Sequence, residues 1–286
     1  MFNSGLCRDD TRGRIRSWTS PRSSFRQIGG YSCMFWTLGG LIGVSCLLQI
    51  FIVSANVSEK KQSNSSVAMI KIPGVLVMTF YCFIMKVVGS SRSAGLSNFL
   101  SVSFGTDPGN IGLLFGIWAT LYLIGSPPMA KLVNKGFIYS PMVIGWVITV
   151  FIDLFMGPSP LLNFIFHGKK YFVLTVVMRS LCLLSQIAIY VPPFQAAIDL
   201  AVVNGHEKDS IQTYGMVTGL LNGGLGLGAM VGPIMAGAVT DATDFTWTLT
   251  VLSFLDMLIL SVLVVYLIWM KITKQPLKPE TVKQDT

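Results

Sequence analysis

Seven long apolar runs, each closed by a short polar break, limit what this chain can fold into. A bilayer core of about 30 Å takes about 20 apolar residues per helix at 1.5 Å per residue. Runs of that length, uncharged or briefly interrupted by an ionisable group, cover residues 31–53, 74 to about 96, 111–130, 138–156, 171 to about 192, 214–239 and 246–270. The breaks include VSEKKQSNSS (57–66), FHGKKY (166–171), NGHEKDS (204–210) and DATD (241–244), none long enough for a second soluble domain. Of the 286 residues 12% are charged, against about 25% in an ordinary soluble domain, and the mean hydropathy is +0.63. The sequence predicts an all-α, multi-pass integral membrane protein of about seven transmembrane helices, with the lipid bilayer as its first partner.

The sequence offers little material for catalysis. It contains no Walker loop, no HExxH and no GxSxG, and its two histidines, His167 and His206, both fall in loops. The five cysteines, Cys7, Cys33, Cys46, Cys82 and Cys182, show no CxxC and no paired spacing; four lie inside predicted spans, where cysteine behaves as a small hydrophobe. We therefore expect no enzyme activity, no metal, no cofactor and no nucleic-acid partner.

Ionisable residues inside spans carry more information. Lys86, Arg179 and Asp256 lie 12, eight and ten residues into their runs, near the bilayer midplane. Each would cost about 2.5–3.5 kcal/mol if it faced lipid, so each is expected to face a partner or a water-filled cavity. Asp256 is expected to compensate Lys86 or Arg179, whereas Arg92 and Asp153 lie nearer the run ends, where they can snorkel. Trp118, Tyr81, Tyr190 and Phe194 are candidate aromatic faces for a bound cation, though such residues more often serve as ordinary bundle packing. With Asp256 the one deep acid, a cavity holding Lys86 and Arg179 suits an organic anion at least as well as an amine, and Arg92 is a further candidate binding residue.

The stretch GLGLGAMVGPIMAG (224–237) sets Gly224, Gly228 and Gly232 four residues apart on one helix face, followed by Pro233 and Gly237. Small residues at this spacing let two backbones approach closely, either in static packing or at a hinge. The string LGAMVGPIMAG resembles the glycine-proline motif of major facilitator superfamily antiporters. YGMVTGL (214–220), IYVPPFQ (189–195) and NIGLLFGIWATLYLIGSPPMAKLVNKG (110–136) are similar to segments of the vesicular amine transporters, most of all their polyamine branch. The resemblance covers about residues 29–270 and implies the family's sixth helix plus its carboxy-terminal six-helix half.

On this resemblance, residues 1–29 form an Arg-rich amino terminus outside the family pattern, 30–54 the sixth helix, 55–72 a central cytoplasmic loop, 73–271 the six-helix bundle and 272–286 a cytoplasmic basic tail. The resemblance implies transport of small solutes by alternating access, with proton-coupled antiport of amines or polyamines into vesicles. It also implies a vesicular, endolysosomal or plasma-membrane location, and a missing amino-terminal half or partner half-bundle. An organic-anion transporter and a non-transporting membrane subunit or regulator stay open.

Two departures stand out. The inter-helix loop motif reads Ala130, Asn134, Lys135, Gly136, with alanine and asparagine where the family has glycine and aspartate, which weakens any charge relay there. Ser90-Ser91-Arg92-Ser93-Ala94 stands where related transporters carry an aspartate-proline pair. Loop charge orients the bundle: ten lysines fall on the side assigned to the cytoplasm against Lys169 and Lys170 opposite. The six arginines of the first 27 residues disagree with that orientation, and glycosylation at the sequons Asn56-Val-Ser58 and Asn64-Ser-Ser66 would invert the loop holding them.

Overall fold

The computed structural model describes residues 24–52, 69, 71–157, 159–166, 170–207 and 210–273, and all regular structure among them is helical. Most of the arginine-rich start, both sequons, His167, Lys169 and the tail from 274 onward lie outside the described residues. Two compact units separate near residue 62. The first holds helix α1, Ser24–Ile52, which includes the apolar stretch Phe35–Ile50.

The second unit carries six membrane-length spans among the described residues. They are built from α2 (Pro73–Phe104), α3 (Pro108–Asn134), α4 (Tyr139–Met156), α5 (Phe172–Tyr190), α6 (Pro192–Val203), α7 (Ile211–Ala242) and α8 (Phe245–Ile272). Local chemistry sets their ends. Proline occupies the first turn of α2 and α3, where its missing N–H leaves nothing unsatisfied. Gly105, at φ +62°, closes α2 in the left-handed conformation that glycine adopts without strain. Asp244 starts α8 by accepting the N–H of Phe245 at 2.9 Å.

Three boundaries differ from the sequence reading, one being that α2 continues to Phe104, past its expected end near residue 96. The fifth span does not stop near Pro192: α5 and α6 read through as one span, Phe172–Val203, because prolines at the head of α6 redirect the helix without ending it. The motif around Ala130 and Asn134 is not a loop either. Both residues belong to the last turns of α3, and the chain turns only at Lys135 and Gly136, the latter at φ +95°.

Helix α2 is the hub. It packs most extensively on α7 and also meets α8, α6, α5 and α3, while α4 is clasped between α5 and α8. Two apolar clusters fill the bundle. One gathers Met78, Tyr81, Trp146, Ile189, Leu221 and Leu263; the other gathers Leu96, Phe99, Met156, Phe245 and Leu249. Along α2, α4 and α8 the charged residues Arg92, Asp153 and Asp256 fall at the level where one cluster gives way to the other.

Candidate functional site

Arg92 is the centre of the site. It lies 19 residues after Pro73 in a helix that continues to Phe104, well past the expected end of this run, so it sits inside the bundle and does not snorkel. Its side chain is 1% exposed, and Asp153 and Asp256 are fully buried. Arg92 Nη2 donates to Asp153 Oδ2 at 2.6 Å and lies 3.7 Å from Asp256 Oδ2. Three corrections follow. The cation nearest Asp256 is Arg92 and not Lys86 or Arg179. Asp153, though close to the end of its own short helix, is interior because α2 and α8 run past it. Asp256 is thus one of two deep acids.

The cluster is incompletely satisfied. Arg92 Nε, Asp153 Oδ1 and both Asp256 carboxylate oxygens are buried without a hydrogen-bond partner among the described residues. Unpaired polar atoms in an apolar interior are costly, so they mark places where a proton, water or ligand has something to gain.

A cavity of about 410 Å³ adjoins this cluster; Lys86, Arg92, Tyr122, Trp146, Gln186 and Tyr190 contribute to its walls from α2, α3, α4 and α5. Lys86 is half-buried and has no acid within ion-pair distance among the described residues. Tyr81 stands behind the wall: Trp146 Nε1 donates to its hydroxyl at 2.8 Å, and that hydroxyl donates to the Ile189 carbonyl at 3.2 Å. A larger hollow of about 620 Å³ beside Met129, Phe137, Ile144 and Leu184 is almost wholly apolar, which suits lipid chains better than a polar solute.

The remaining candidates divide into those near the cavity and those away from it. Tyr190 lines it, while Phe194 stands one helical turn further on with its ring 6.3 Å from that of Tyr190 and does not line it. Arg179 does not line it either. Its guanidinium lies 5.7 Å from the Trp118 ring and donates weakly to Ser93 Oγ at 3.4 Å, and Trp118 Nε1 donates to Ser180 at 3.1 Å. Trp118 therefore supports a buried protein cation. Asn134 and Lys135 are exposed.

The glycine row lies against α2. A Cβ on Gly228 would strike the Phe83 carbonyl and sit 2.9 Å from Lys86 Cβ, and one on Gly224 would stand 2.8 Å from the Thr79 carbonyl. On Gly232 it would overlap Ser90 Oγ and approach the Val87 carbonyl to 2.5 Å. Across this seam Ser91 donates to the Gly232 carbonyl at 2.7 Å, while the Ser90 hydroxyl, which donates to the Lys86 carbonyl of its own helix at 2.7 Å, also stands 3.2 Å from the Gly228 carbonyl. Pro233 stays within α7, and Gly237 faces open space.

Sequence reading missed Trp146, Gln186 and the depth of Asp153. One signal for it was present: Gly145, Thr149 and Asp153 recur every four residues on an otherwise apolar helix, which marks an inward face.

Comparison with known proteins agrees with this architecture. The chain is 28% identical over 221 residues to the MFS-type transporter SLC18B1 of Mus musculus, covering 76% of this chain and 47% of that protein. The Rattus norvegicus and Homo sapiens proteins of the same name are each 27% identical, over 224 and 223 residues, with the same two coverages. The chain thus spans about half the length of the curated relatives it matches. The family model described as Major Facilitator Superfamily matches residues 78–285, well over half of the sequence. By its bundle of long apolar helices and by that match, the chain belongs to the Major Facilitator Superfamily.

Proposed function

We propose that this chain provides one six-helix half of a transporter that moves small solutes by alternating access, exchanging protons for an amine or polyamine. The observation that carries the reading is the polar cavity inside an apolar bundle, in contact with a guanidinium that two buried acids share. Arg92 lines the cavity and also holds Asp153 and Asp256, so a proton arriving on either acid loosens its grip on a cavity residue. Linkage of this kind couples solute to proton. Rocking against a second half is supported by the length of the relatives, twice the span matched here. The lysine bias supports a cytoplasmic carboxy terminus, and the resemblance to vesicular amine transporters supports a vesicular or endolysosomal membrane.

The test uses membrane vesicles from cells expressing the full chain, so that any partner half is present. Uptake of labelled spermidine driven by an acid interior is expected to exceed that of vector vesicles, to collapse with nigericin and to fall at least tenfold in Arg92→Met. Uptake indistinguishable from vector vesicles overturns the proposal.

A further inference from the structure

We infer that the solute carries a carboxylate, bound in this half of the cavity by the Lys86 ammonium. The inference rests on reading the cavity as a solute site. Among the described residues Arg92 is held by Asp153 and Asp256, whereas Lys86, also on the cavity wall, has no acid within ion-pair distance. No lining residue is acidic.

The neutral lining groups also suit an anion. The Gln186 amide and the Tyr122 and Tyr190 hydroxyls donate to nothing among the described residues, and the buried Arg92 Nε–H has no acceptor. The Arg92 Nε–H can only donate, and the amide and the two hydroxyls can donate to a carboxylate as well as accept. The ammonium groups of a polyamine would find no carboxylate on this wall and belong on the facing half. One ammonium without an acid partner matches a monoanion better than a phosphate dianion, and Trp146, Tyr122 and Tyr190 offer flat apolar surface to the rest of the molecule. If the solute is also an amine, its ammonium group belongs on the facing half, which makes it a zwitterion.

Binding of labelled pentanoate, pentylamine, methyl phosphate and spermidine to the purified full chain in nanodiscs tests this without requiring flux. We expect saturable pentanoate binding that weakens at least tenfold in Lys86→Gln and returns in Lys86→Arg, with pentylamine failing to compete. Lys86→Gln keeps the Cβ that packs on Gly228, and size-exclusion monodispersity checks its fold. Pentanoate affinity within twofold of the parent in Lys86→Gln, tighter binding of methyl phosphate, or no pentanoate binding each overturns the inference. Spermidine uptake without pentanoate binding removes the carboxylate and leaves the transporter reading. Lys86-dependent pentanoate binding without any flux leaves the site and removes transport.

Discussion

Helix α2 is held on two sides by opposite chemistry. Towards α7 it meets a seam of glycine backbone with no charge, closed to the distance where a single added carbon has no room and fastened by Ser91. Towards α4 and α8 it is held by one guanidinium and two carboxylates that leave four polar atoms unpartnered. The seam is complete and the ionic joint is not. A complete seam moves as a rigid body, because sliding by a fraction of a helical turn breaks its serine bond and drives backbone into backbone. An incomplete joint has alternative arrangements close in energy. The contrast favours α2 and α7 as one moving piece and places adaptability at Arg92.

The sharpest way to break this comparison is to remove one charge. Asp153→Asn leaves Arg92 buried without its 2.6 Å partner, and losing one member of a buried pair costs about 3–5 kcal/mol. A large drop in thermal midpoint is expected in detergent. The triple variant Arg92→Met, Asp153→Leu, Asp256→Leu should recover most of it, since volume is nearly kept and no charge is stranded. If the triple variant is no better than the single, the joint is held by packing and the contrast with the seam fails.

Adding a methyl group tests the other side. Gly228→Ala forces a Cβ against the Phe83 carbonyl and within 3.0 Å of the Val87 nitrogen, both backbone atoms that cannot rotate away. Overpacking of this kind costs about 1–3 kcal/mol, and scanning fluorimetry reads it as a shift of several degrees. Asp256→Asn should cost less, about 1 kcal/mol, because the carboxylate stands 3.7 Å from Arg92 and accepts no hydrogen bond. A loss equal to that of Asp153→Asn would make the two acids equivalent and the joint symmetric.

Much of the bundle was legible in the sequence, because helix length and apolarity are local properties that the bilayer fixes. The glycine row was legible as a close-packing face for the same reason: spacing by four is written in the chain. What it packs against was not, since Ser90 and Ser91 read as a family departure until the structure set them beside the Gly228 and Gly232 carbonyls. The pairing of charges was misread. Depth was counted along each run from its own end, yet burial depends on neighbours: Asp153 is near the end of α4 but enclosed by the longer α2 and α8. Counting along one helix gives height and says nothing of azimuth, so Arg92 reads as a snorkelling residue although it, and not Lys86 or Arg179, lies beside Asp256.

The smallest effect tests whether the seam is unique. Helix α7 carries a second row at the same spacing, Gly215, Gly219 and Gly223, and a Cβ on any of these meets nothing within 4 Å. If spacing alone made a seam, both rows would be equally sensitive. The structure instead predicts that Gly219→Ala changes stability by less than about 0.5 kcal/mol through contacts, with a gain of up to about 1 kcal/mol from the better helix propensity of alanine. Scanning fluorimetry of the full chain in detergent should therefore show an unchanged or slightly raised midpoint beside the clear loss in Gly228→Ala. A matching loss in Gly219→Ala would mean that the second row is also packed against backbone, by groups outside the described residues, and that α7 is gripped from both sides.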